Sequence, residues 1–173
     1  ARADNKMKSL HNLVGMAADA SQRYDSFDWF VPPFIGQKNV AVYFENPDGA
    51  MMRDVRPVNS AGEAWDMKVI TGDKGAKIKL DLSGAKAIPN PAFEAYLVDL
   101  DESMAYNLRT TSSVEINSKG GTRNFVVLVG TREFLDNNRR GVDLVPREMK
   151  LFANYPNPFN PETVIRYTIS GGR

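Results

Sequence analysis

The side chains of this chain that could do chemistry are few, and carboxylates lead them. Asp25 and Asp28 lie in one aromatic-rich stretch, and Asp99, Asp101 and Glu102 lie close together farther on. Oxygen-rich groups of this kind suit calcium, and two acids about 5–10 Å apart suit glycoside hydrolysis. The spacing fits no EF-hand loop, however, and clustered acids commonly cap turns by accepting from nearby backbone N–H groups. The expectation is a chain without a cofactor, with calcium at these carboxylates as the one exception worth testing. His11 is the single histidine and there is no cysteine. A serine–histidine set would have to use His11, and no Gly-x-Ser-x-Gly elbow presents a serine to it. With one imidazole and no thiolate, a transition-metal centre lacks nitrogen and sulfur ligands. The run Gly72-Asp73-Lys74-Gly75-Ala76-Lys77 has glycine and lysine without phosphate-loop spacing, and reads as a hairpin turn. No catalytic or metal-ligating residue is therefore assigned, and the chain is expected not to be an enzyme.

Aromatic side chains offer the other chemistry. Tyr24, Phe27, Trp29, Phe30 and Phe34 crowd one stretch that ends in the pair Pro32-Pro33. Exposed rings on such a loop could stack on sugar rings; rings turned inward would cover the open end of a core. Core cover is the expected arrangement, and a carbohydrate platform built of Tyr24, Phe27, Trp29 and Phe30 is the alternative.

These residues need a scaffold, and the apolar pattern says which. Met7, Leu10, Leu13, Val14 and Ala17 fit helical spacing, but Gly15 weakens a helix and no C-terminal cap follows, so residues 7–17 suggest a strand or an irregular lead-in. Val40, Val42 and Phe44 alternate with polar positions up to Asn46-Pro47-Asp48-Gly49, a turn signal, and residues 52–56 make a plausible partner. Trp65, Met67 and Val69 face away from Asp66 and Lys68; Ile78, Leu80 and Leu82 face away from Lys77, Lys79 and Asp81. Residues 71–75 could close those two into a hairpin. Pro89-Asn90-Pro91 breaks the chain as a crossing between sheets would. Residues 96–100, 104–109 and 113–117 are further strand candidates, the last closing through Asn117-Ser118-Lys119-Gly120-Gly121. Residues 125–129 are apolar on both faces, as a central strand requires. Residues 130–141 read as an exit loop and residues 148–153 as one more short strand. No amphipathic helix stands out. Short strands with turns about every ten residues predict an all-β fold, an antiparallel β-sandwich of immunoglobulin-like or jelly-roll type.

The last stretch is different. Pro156, Pro158 and Pro161 fix φ and push the preceding residues out of the helical region, so a stiff, extended connector is expected. Beyond it Ile165, Tyr167 and Ile169 alternate with Arg166 and Thr168, the pattern of a strand over residues 163–169. With no further strand in the sequence after it, this ribbon must find an edge. Val164, Ile165, Tyr167 and Ile169 are the candidate assembly residues, and donation of the strand to a neighbouring copy would build a homo-oligomer or filament.

Tyr155, Pro156, Asn157, Pro158, Phe159, Asn160 and Pro161, followed by residues 162–170, resemble the opening of the C-terminal sorting domain carried by cargo of the type IX (Por) secretion system of Bacteroidetes and related bacteria. That family continues for several strands; this chain contains the first. A looser resemblance covers most of the rest. Residues 20–33, Tyr96 to Asp99 through Leu97 and Val98, and Arg123-Asn124-Phe125 with Val129-Gly130 are similar to motifs of the β-sandwich domains that often precede such sorting sequences. The resemblance implies a secreted or cell-surface protein, the type IX machinery as a partner, and two parts: residues 1–147 as the sandwich, residues 148–173 as connector and first sorting-type strand.

Composition agrees with this and excludes other classes. The 173 residues include 42% hydrophobic ones, enough for a core in one ordinary domain. Twenty-two basic residues balance 21 acidic ones without long runs, unlike a nucleic-acid-binding chain with its concentrated basic face. No apolar run approaches the roughly 20 residues of a membrane span. The start Ala1-Arg2-Ala3-Asp4 would suit a mature terminus left by signal-peptide removal. The functional expectation is a non-catalytic extracellular structural or adhesive β-sandwich protein exported by type IX secretion, with strand donation as its route to a filament. A carbohydrate-binding module of a larger secreted hydrolase, with polysaccharide as partner, is the alternative.

Overall fold

The computed structural model describes residues 2–3, 9, 11–32, 40–82, 84–85, 88–144, 150–151, 163, 165 and 167–168. Strand β1 (Arg2–Ala3) opens the chain, followed by β2 (Leu13–Ala17), β3 (Trp29–Phe30), β4 (Val40–Asn46) and β5 (Gly49–Pro57). The long strand β6 (Gly62–Thr71) leads to β7 (Lys77–Asp81), β8 (Glu94–Asp99), β9 (Met104–Asn107) and β10 (Ser113–Asn117). Then come β11 (Gly121–Gly130), helix α1 (Arg132–Asn138), β12 (Lys150–Leu151) and β13 (Tyr167–Thr168). The large sheet runs β2-β5-β4-β6-β11-β8-β9 with β3 on β5, and the small sheet runs β1-β7-β10. The two pack face to face, which makes the protein an all-β sandwich.

Alternation explains the core. Val40, Val42 and Phe44 on β4, Trp65, Met67 and Val69 on β6, and Phe125 and Val127 on β11 line the inner face of the large sheet. Ile78 and Leu80 on β7 and Val114 and Ile116 on β10 meet them from the small sheet. Each such side chain, fully buried, contributes roughly 1.5–3 kcal/mol. The β4–β5 hairpin forms where turn chemistry asks for it: the Asp48 N–H donates to Asn46 Oδ1 at 3.0 Å, and Gly49 takes φ +139°. Strand β5 stops at Pro57, which cannot extend a ladder as a donor.

The structure corrects four expectations. Residues 71–75 do not close a hairpin, because β6 belongs to the large sheet while β7 pairs with β10, Lys77 opposite Asn117 and Asp81 opposite Ser113. Turn residues report a change of direction, not the sheet that the chain joins next. The same applies to residues 117–121, where the chain passes from β10 in the small sheet to β11 in the large one. The sandwich is also not wholly antiparallel, since β2 runs parallel to β5. Its approach is held by Asn12 Nδ2, which donates to the Val42 carbonyl at 2.7 Å, and by Ser9 Oγ, which accepts from the Val42 N–H at 3.2 Å.

The fourth correction lies in residues 130–141, expected as an exit loop, within which Arg132–Asn138 form helix α1. Its reason is on β11. Val126 and Leu128 point away from the sandwich interior, as do Tyr96 and Val98 on β8, and all four are buried. Leu135 of α1, with Val142 and Leu144 after it, supplies the cover. Thr131 caps the helix, its Oγ1 accepting from the Phe134 N–H at 3.3 Å. Phe134 reaches the sheet over two paired glycines, Gly62 and Gly130. A Cβ on Gly130 would fall 2.5 Å from the Ala61 carbonyl oxygen and 2.8 Å from Phe134 Cδ1, so the close approach needs glycine.

Candidate functional site

Two surface features gather the residues singled out above. The first is an aromatic ledge on residues 20–31. Three aspartates pin its backbone. Asp28 is buried, its Oδ1 accepting from the Val55 N–H at 2.8 Å and its Oδ2 from the Asp25 N–H at 3.1 Å. Asp25 in turn accepts from the N–H groups of Ser21 at 2.6 Å and Phe27 at 2.7 Å. Asp48, in the β4–β5 turn, accepts from the Tyr24 N–H at 2.7 Å and from both Nε and Nη2 of Arg23, at 2.9 and 2.5 Å. These donors hold the Asp48 carboxyl below its ordinary value, the Arg23 hydrogen bonds first and the Tyr24 N–H next. The Val31 N–H donates to the Ala50 carbonyl at 3.0 Å and fastens the far end.

On this rigid loop the rings face water. Tyr24, Trp29 and Phe30 are 49%, 51% and 47% exposed, so they do not cover the core as expected; Phe27 is half-buried and Phe34 lies outside the described residues. Tyr24 and Phe30 stack on each other, centroids 4.6 Å apart at 18°. Phe30 lies against Gly49, where an added Cβ would come within 3.4 Å of the ring. Trp29 and Leu13 both sit opposite Arg53 of β5, and the Arg53 guanidinium lies over the indole at 5.5 Å from its centroid. Apolar faces beside a cation are what a sugar ring or a protein side chain can settle on.

The Asp99 group does a different job. Asp99 Oδ1 accepts from the N–H groups of Asp101 and Glu102, both at 3.2 Å, which closes the turn after β8. Its Oδ2 pairs with the Arg123 guanidinium, whose Nε lies at 3.1 Å. Asp101 accepts from the N–H and side-chain amide of Asn124, both at 3.1 Å, and Glu102 pairs with Lys119 at 3.0 Å. Among the described residues no group of three or more histidines and acids is arranged to hold a metal ion. His11 is exposed ahead of β2.

The second feature is the chain's last described segment. Tyr167 and Thr168 pair antiparallel with Leu151 and Lys150, so the terminal ribbon, expected to lack any partner in its own sequence, has one in β12. The sequence-based expectation looked past residue 169 for a partner and overlooked the strand candidate ahead of the prolines. Ile165 and Tyr167 remain 62% and 64% exposed. They border a groove of about 410 Å³ whose other walls include Tyr106 of β9 and Ser113, Val114 and Ile116 of β10. Val164, Ile169 and the sorting-type motif, Tyr155 to Pro161, lie outside the described residues.

The class defined at this point is an all-β sandwich with a rigid aromatic ledge and a terminal strand. No family model, curated protein or solved structure matches the chain.

Proposed function

We propose that this is a non-catalytic structural or adhesive β-sandwich protein that works outside the cell and associates through its terminal strand. The observation that carries the reading is the pair Ile165 and Tyr167: two apolar side chains at strand spacing, each more than 60% exposed, on a segment that pairs over two of its described residues. Apolar alternation on an exposed strand signals pairing with another chain. Export by type IX secretion is supported by the resemblance of residues 155–170 to the start of a sorting domain. Among the described residues no helix is long and apolar enough to cross a membrane. The test is particle size. Deleting residues 163–173 should reduce native assemblies to single chains by light scattering and electron microscopy; assemblies of unchanged size would refute association through this strand.

The ledge favours a second reading, a carbohydrate-binding module. Three rings held in solvent by buried and hydrogen-bonded aspartates form a prepared surface, since ordering it costs nothing further on binding. Polysaccharide is the ligand class that half-exposed rings beside an arginine would take. Retention on insoluble glycans should fall at least tenfold in Trp29→Ala and Tyr24→Ala variants of unchanged fold. No retention of the parent chain on any glycan would remove this reading.

A further inference from the structure

We infer that the groove between β9 and β10 is the acceptor for the terminal strand, and that the strand seated there comes from a second copy of this chain. The inference rests on the association proposed above and names the surface it uses. Strand β9 ends the large sheet and β10 ends the small one, and the short residues 108–112 join them, so both edges lie on one side of the sandwich. Among the described residues each has a strand neighbour on one side only. An edge of that kind offers a row of N–H and C=O groups as a template for an added strand.

The floor matches the donor. Val114 and Ile116 alternate with Ser113, Glu115 and Asn117 along β10 and turn their side chains into the core. Ile165 and Tyr167, two residues apart, present one apolar face, with the polar residues Arg166 and Thr168 between and after them in sequence. The chain's own Ile165 and Tyr167 already stand at the groove's wall. Their high exposure shows that this position leaves most of their surface in water. Among the described residues the own-chain ladder of β13 on β12 spans two residues, whereas the β10 edge is five residues long. Among the described residues no strand pairs with the second edge of β10, and a segment from another copy can lie along all of it. Exchange of an identical element keeps the local contacts and adds the unused edge, so raising concentration favours it. Donor and acceptor are different surfaces of the molecule. Repetition is then head to tail and builds an open chain of copies.

The chain has no cysteine, so introduced ones are unique handles. Full-length Glu115→Cys, exposed on β10, and full-length Ile165→Cys are mixed and treated with a short bis-maleimide. The expected product has twice the chain mass and carries a 115–165 link by peptide mapping. A tenfold excess of a peptide copying residues 162–173 should reduce it several-fold. A chain carrying both cysteines reports the own-chain alternative. If that chain gives the 115–165 link only within one molecule and the mixture gives none, the segment serves its own domain and the second-copy assignment is overturned. If neither sample gives the link, the groove is not the acceptor. Particles that shrink on deletion of residues 163–173 yet never give this link would keep the association and discard the groove; particles indifferent to the deletion would discard the association itself.

Discussion

Asp99 has no exposed surface, and its carboxylate pairs with the nearly buried Arg123 guanidinium. Burial pushes the Asp99 carboxyl up from its ordinary value, and Arg123 works against that push. Between the unfolded and the raised folded value the native chain holds more protons, so this group's contribution to stability falls as pH rises through that window. Removing Arg123 would leave a buried carboxylate unpaired. Arg123→Met should cost roughly 3–5 kcal/mol in urea unfolding at neutral pH, and Asp99→Asn in the same chain should restore most of it. The deficit should shrink below the ordinary carboxylate range, where Asp99 is protonated in both states. A deficit independent of pH would show that Arg123 acts through packing on Phe125, over whose ring it lies at 5.6 Å. None of this was legible from residue types. The turn cap that Asp99 makes was among the readings of this acidic cluster, but its ion pair was not, because Arg123 is 24 positions away and arrives only through the register of Phe125 opposite Asp99. The ledge was legible as a cluster of rings, but not its exposure, since Asp48 and Val55, which pin it, lie on other strands.

At the scale of elements, helix α1 and strand β11 are one unit. The pattern of β11 was read correctly as central, and apolar residues on both faces imply cover on both. The cover comes from residues read as an exit loop, because the helix has seven residues and two apolar ones, Phe134 and Leu135, too few to show a 3.6-residue period. Strand alternation was readable wherever one face met water, as on β6 and β7. Which strands became neighbours was not, because pairing such as β7 with β10 is decided by packing between residues far apart in sequence. Leu135→Ala should cost about 2–5 kcal/mol, since the side chain is fully buried against Val126 and Leu128. Gly130→Ala should also destabilise, by forcing Phe134 and the Ala61 carbonyl away from the glycine pair. Hydrogen exchange at α1 would separate the two. In Leu135→Ala the Gly62–Gly130 ladder should stay protected, whereas in Gly130→Ala helix and ladder should loosen together.

For the whole molecule the question is how far the sandwich depends on its last residues. Both apolar clusters draw their members from Val14 to Leu144, and Ile165 and Tyr167 stand exposed outside them. Among the described residues the terminal strand meets the β10 groove and β12, and β12 pairs there with no strand but β13. The described core therefore lies ahead of residue 145, whereas the association proposed above would use a later part of the chain. A chain ending after Thr163 should keep a cooperative urea transition with its midpoint and slope nearly unchanged, because the surface buried in the core is the same. The same chain should lose the concentration dependence of thermal stability that linked copies would confer. If truncation instead lowered the slope and broadened the transition, residues beyond 163 would be part of the cooperative core, and a strand needed at home could not be lent to a neighbour without unfolding its owner.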